Sequence, residues 1–237
     1  MRNVMLLTIS YLLLMVVLLS ACSDQMDPVS VNEKKGLTGS SEIRANLEAH
    51  SISNVYWFED GSEIEGAVAT LLRTDSNVNT TLKTTGLDPH HTYTVWWVIF
   101  NYPDECENGC GEPDLFNDDV GGSVLYAAGH VIGGNGKGNF AGSLKTGDLS
   151  GCQAPWDAFN LELIGGEDEL DMCREGLVDP HGAEIHLVVR THGERIPGMV
   201  NDQINTFAGG CTAETSFGAA NGPNDCEDQQ FAMFPAE

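Results

Sequence analysis

The run Thr92 to Asn101, TYTVWWVIFN, restricts the fold more than any other segment. It is almost entirely β-branched or aromatic, the composition that suits a pleated strand and strains a helix. Read with a period of two, Tyr93, Val95, Trp97 and Ile99 share one face, and Thr92, Thr94, Trp96, Val98 and Phe100 share the other. Both faces are apolar beyond position 95, so the run predicts a central strand covered on two sides. The turn Gly86-Leu87-Asp88-Pro89 precedes it.

The neighbouring segments agree. Val68–Leu72 and Thr80–Thr85 read as two strands joined by Asp75-Ser76-Asn77. Ser123–Ile132 and Asn139–Leu144 flank Gly133-Gly134-Asn135-Gly136-Lys137-Gly138, and Asn-Gly between strand-like runs predicts a hairpin. Ala183–Thr191 is another strand, and Ile204–Ala208 reads as a short last one. Helix signals are weak, with one turn or two expected at Trp156–Ile164. The pattern predicts an all-β fold: an antiparallel β-sandwich, immunoglobulin-like or superoxide-dismutase-like, over residues 42–237, with long loops at 102–122 and 145–180.

The chain begins Met1-Arg2, followed by an apolar run from Val4 to Leu19. A positive end, an apolar stretch and small residues form a secretory signal. Thr8, Ser10 and Tyr11 interrupt the run, which is short for the ~20 apolar residues of a membrane span. Leu19-Ser20-Ala21-Cys22 resembles the bacterial lipobox. The resemblance implies a signal peptide over 1–21, cleavage before Cys22, and acylation of that cysteine, palmitate included. Stable anchoring takes more than one acyl chain, and a lipoprotein amino end carries several. Ser23 in place of Asp resembles the pattern of outer-membrane sorting. Residues 22–41 then read as a lipidated end and a tether too polar to bury much surface. The expected location is the bacterial cell envelope, lipid-anchored, at the outer membrane in preference to the inner.

With 35 acidic and 11 basic residues the formal charge is -24. That excludes nucleic acid as a partner, because phosphate binding requires Lys and Arg, and it excludes a second, polybasic hold on anionic lipid. Six cysteines remain once Cys22 is set aside: Cys106, Cys110, Cys152, Cys173, Cys211 and Cys226. An even number in an exported chain reads as three disulfides. Six cysteines leave fifteen pairings open. The spacing favours the local ones, 106–110, 152–173 and 211–226.

The strand 183–191 places Ala183, Ile185, Leu187 and Val189 on a core face. Glu184, His186, Val188, Arg190 and, beyond them, His192 fall on the other. Glu184, His186 and Arg190 are therefore a candidate binding face, weighed against a merely solvated polar one. His130, His181, His186 and His192 are candidate ligands for copper or zinc, since imidazole suits these metals. The acidic loop holding Asp104, Glu105, Glu107, Glu112, Asp114, Asp118 and Asp119, or the segment Asp225-Cys226-Glu227-Asp228, could supply oxygens to calcium. No phosphate loop, nucleophile elbow or zincin motif is present: Lys137 is followed by Gly138, and Ile185 stands where a reversed zincin requires histidine.

GLDPHHTYTVWWVIFN, SVLYAAGHVIGGNGKGNFAGSL and DPHGAEIHLVVRTHG resemble an uncharacterised family of secreted or lipid-anchored bacterial β-sandwich proteins, over roughly residues 65–211. The first two are also faintly similar to chordin-type modules. The resemblance implies a shared fold and brings no catalytic residue. The sequence therefore points to a non-catalytic binding or structural module with a protein or glycan ligand. The alternative is a metal-binding protein or oxidoreductase using the clustered histidines.

Overall fold

The computed structural model describes residues 50–153, 172–219 and 221–237, and the backbone of 159–160 and 169–170. These belong to one compact unit, Ser40–Glu237. The expected signal peptide, the acylated Cys22 and the tether lie outside the described residues, as does most of the helical turn expected at Trp156–Ile164. Among the described residues no helix is long and apolar enough to cross a membrane.

The fold is all-β and antiparallel. Eight strands form one sheet: β1 (His50–Trp57), β2 (Glu63–Thr74), β3 (Asn77–Thr84), β4 (His91–Phe100), β5 (Gly122–Val131), β6 (Gly138–Lys145), β9 (Glu184–Glu194) and β10 (Glu227–Phe234). Their order is β5-β4-β9-β10-β1-β2-β3-β6. A two-stranded ribbon, β7 (Phe159–Asn160) with β8 (Glu169–Leu170), lies inside the second disulfide loop. One short helix, α1 (Val200–Asn205), follows β9.

β4 has the central position that its composition predicts, between β5 and β9. Register places Leu125, Trp97, Leu187 and Ala232 in one row across β5, β4, β9 and β10, all buried. Ile99, Ile185 and Phe234 form the next row. Each leucine, isoleucine and phenylalanine in these rows contributes about 1.5–3 kcal/mol by leaving water. The sheet curls until its two end strands lie alongside each other. A Cβ placed on Gly142 of β6 would meet Trp97 of β4 at 3.1 Å and Ala127 of β5 at 3.4 Å, so only glycine permits this closeness without displacement.

The expected hairpin across Gly133–Gly138 does not form. β5 pairs with β4 and β6 pairs with β3, at opposite ends of the sheet order. The connection is held elsewhere: Leu87 N–H donates to Gly136 O, His90 N–H to Ile132 O and Ile132 N–H to His91 O. These bonds pin the loop to the turn before β4, so Asn-Gly makes a local turn rather than a ladder. Ile204–Ala208 is also not a strand. Its first residues close α1, and the buried Gln203 fixes that segment by accepting from Ile196 N–H and donating to His192 O and Glu194 O. The last strand is instead Glu227–Phe234.

Three disulfides join Cys106 to Cys110, Cys152 to Cys173 and Cys211 to Cys226, the local pairs that the spacing favours. The second also protects an edge. Val124 N–H donates to Met172 O and Tyr126 N–H to Gly151 O, so residues beside Cys173 and Cys152 satisfy the free side of β5. An unpaired strand edge is otherwise a template for aggregation. Arg73 of β2 is buried in the core, donates to the carbonyls of Pro180, Ala183, Phe234 and Pro235 and faces Glu237 at 3.8 Å. Burial lowers its pKa from the ordinary arginine value, opposed by Glu237 and Asp179.

Candidate functional site: an aromatic cleft between two disulfide loops

The face of β9 opposite the core does not meet open solvent. With its neighbours it floors a cleft of about 410 Å³, within the size range of small-molecule sites. Register maps the floor. One row runs Tyr126, Trp96, Val188, Phe231 and Tyr56, from β5 across to β1. The next runs Val124, Val98, His186 and Met233. Phe100 closes one end of the β4 row, and Arg190 paired with Asp228 closes the other.

Two loops make the walls. The segment after Cys106–Cys110 brings Gly111, Glu112 and Leu115 over the His186 end, where Gly111–Phe116 turns through a short helix that Asp114 caps by accepting from Gly111 N–H. The segment around Cys211–Cys226 brings Phe207 and Phe217 over the Arg190 end. Their rings stack at 5.8 Å and 10°, and Trp96 meets Phe207 edge-on at 5.5 Å. Phe58, beyond β1, meets Phe231 edge-on. The lining is predominantly apolar, with a few polar groups at fixed places.

Those polar groups are the expected binding face. His186, 8% exposed, donates from Nε2 to Glu184 Oε1 at 2.7 Å and meets Phe100 edge-on at 5.0 Å. A carboxylate only accepts, so Nε2 carries the proton, and in the neutral ring Nδ1 is an acceptor. Among the described residues Nδ1 has no hydrogen-bond partner, and the His186 side chain lines the cleft. Arg190 is buried, donates to Asp228 Oδ1 at 3.1 Å and to Thr215 O, and lies 4.3 Å over the Phe207 ring. Its charge is thus already matched by Asp228.

His192 lies on the same strand but is fully buried under the Phe207–Cys211 segment. Its Nδ1 donates to Gly209 O at 2.8 Å, and its Nε2 accepts from Thr94 Oγ1 at 2.8 Å, which in turn accepts from Trp96 Nε1. Burial pushes its pKa down to about 4, Arg190 adds to this, and the Gly209 carbonyl opposes it.

The four candidate metal histidines are not gathered. His181 Nδ1 faces Glu237 Oε2 at 2.8 Å, His186 faces Glu184, His130 touches Phe140, and His192 is enclosed as described. His186 and His192 stand six positions apart on one strand, about 20 Å at ~3.4 Å per residue. Each has a local partner that holds it in place. Among the described residues, the one group with metal-ligand proximity is His192 with Cys211 and Cys226. Those two sulfurs are bonded to each other, and a metal ligand must be thiolate. The acidic residues of 104–119 do not converge either: Asp118 pairs with Arg174 and Asp114 caps Gly111.

Sequence reasoning found His186, Glu184 and Arg190 through period-two alternation. It missed Phe58, Phe207, Phe217 and Phe231, which come from segments far apart in the chain. Comparison with known proteins gives no family model, no curated protein and no solved structure that matches this chain.

Proposed function

We propose that this protein is a lipid-anchored, non-catalytic binding module of the bacterial envelope, tethered through Cys22, and that the aromatic cleft is its binding site. The observation that carries the reading is the cleft itself: about 410 Å³ walled by aromatic rings, with His186 presenting one unsatisfied ring nitrogen. The lining favours a ligand with a largely apolar body, since aromatic and aliphatic side chains dominate it and its polar groups are few. No nucleophile, converging metal set or acid–base pair with a reacting centre accompanies it among the described residues. The same reading takes the curled sheet as a sandwich of the immunoglobulin or superoxide-dismutase kind, with an outer-membrane address.

The test uses the full chain carrying Cys22→Ser, which removes acylation and the need for detergent. The neutral apolar dye N-phenyl-1-naphthylamine should bind with a blue-shifted, saturable emission. Val188→Trp, which fills the cleft from the middle of its floor, should abolish that signal. Equal dye binding by both proteins would refute the assignment of the cleft. Mass spectrometry of the protein from a bacterial envelope should show an acylated cysteine amino terminus, and an unmodified one would refute the anchor.

A further inference from the structure

The polar groups in the cleft select a head group, and the selection is readable from their donors and charges. Among the described residues Arg190 is the one Lys or Arg in the lining, and Asp228 already compensates it. Glu112 stands at the rim on the opposite side, and Glu184 lies behind His186. The balance around any ligand head is therefore negative, within a chain of formal charge -24. A carboxylate or phosphate entering here would leave water for a site with no free Lys or Arg among the described residues, a costly exchange. A neutral or cationic head meets no such barrier.

The hydrogen-bond polarity is also set. His186, which lines the cleft, donates its Nε2 proton in the hydrogen bond to Glu184, so that in the neutral ring Nδ1 is left as an acceptor. An acceptor rewards a ligand that donates. It gives nothing to a ligand that also only accepts. Along the floor, His186 and Arg190 are four residues apart, so about 14 Å of apolar surface separates them.

We propose that the cleft binds a small amphiphile whose apolar body lies over Trp96, Val98 and Val188 and whose neutral or cationic head donates a hydrogen bond to His186 Nδ1, with anionic heads excluded. The proposal rests on the cleft being the binding site. It adds the chemical class of the ligand.

Four probes with similar apolar chains separate these ideas: 1-decanol, decylamine, methyl decanoate and decanoate. Each is titrated into the full Cys22→Ser chain below its micellar concentration, with displacement of N-phenyl-1-naphthylamine as readout. Decanol and decylamine should displace the dye at least tenfold more tightly than decanoate at low salt. Decanol should exceed methyl decanoate, which cannot donate. In His186→Phe the decanol advantage over methyl decanoate should vanish while chain binding persists. Val188→Trp should remove all four, which identifies any adsorption of decylamine to the acidic surface. Equal displacement by all four probes would overturn the head-group selection and leave the cleft assignment intact. Tightest binding of decanoate would overturn it in favour of an anion site at Arg190. Binding of none, the dye included, would remove the cleft assignment itself. Should His186→Phe not fold, the comparison of decanol with methyl decanoate in the parent protein still decides.

Discussion

His192 is a buried histidine with both ring nitrogens committed, and its replacement by glutamine should remove a defined acid sensitivity. The Gly209 carbonyl can only accept, so Nδ1 carries the proton. Nε2 then accepts from Thr94, whose oxygen is already occupied by the Trp96 indole N–H. Protonating Nε2 would turn it into a second donor facing Thr94 and force the threonine hydroxyl to find another acceptor. Burial adds the larger penalty, and the folded pKa is about 4 against an ordinary 6.5. The sign follows from proton counts. As pH falls through 6.5 the unfolded chain takes up a proton that the folded chain refuses, so folding loses stability until about pH 4 and is insensitive to this group below that. At 1.36 kcal/mol per pKa unit the loss is about 3 kcal/mol. The rest of the molecule works in the opposite direction, because neutralising carboxylates relieves the repulsion of a chain of charge -24. The raw pH profile therefore does not isolate His192, but its difference from His192→Gln does. Urea unfolding followed by tryptophan fluorescence, with disulfides intact and ionic strength fixed, should give the parent a stability advantage near pH 7. That advantage should shrink by about 3 kcal/mol on reaching pH 4. Parallel profiles for the two proteins would refute the argument. So would a His192 imidazole resonance in the parent that titrates above pH 5.5, a measurement that does not require the variant to fold.

Arg73→Met should cost at least about 3 kcal/mol in urea unfolding, because it leaves buried carbonyls of two separate segments, 180–183 and 234–235, without donors; a loss under 1 kcal/mol would show that those carbonyls find water. Replacing Cys152 and Cys173 together by serine should cost about 3 kcal/mol and the Cys106, Cys110 pair about 2 kcal/mol, in the order of their loop lengths; the reverse order in melting temperature would count against the chain-entropy account. Gly129→Ala should destabilise the packing of α1 on β5, since its Cβ would fall 1.7 Å from Ile204 O; an unchanged melting temperature would contradict that close approach.

The legible parts of the fold are those dictated by local composition. β4 announces itself because both of its faces are buried, and β9 because its core face alternates strictly. The disulfide pairs follow from loop closure over short spans. β10 was illegible because its first half, Glu227-Asp228-Gln229-Gln230, reads as polar, although Gln230 is buried and bonded to Thr84 and Thr85. Ile204–Ala208 misleads because its conformation is decided by the side chain of Gln203 reaching back to β9. The Asn-Gly turn misleads because a turn sequence specifies a local bend and not the partner of the strand that leaves it. Half of the cleft was visible as an alternation on β9. Its aromatic walls were not, since no local pattern relates Phe58 to Phe207 and Phe217.

The arrangement by which Gly151 and Met172 satisfy the open side of β5 ties the molecule's solubility to its redox history. Where thiols stay reduced, nothing covalent keeps those carbonyls in position, and a fully formed strand presents its bare amides to other copies. Protein made in a reducing cytoplasm should accumulate as insoluble material of high β content. The same chain exported before folding completes should never expose that seam.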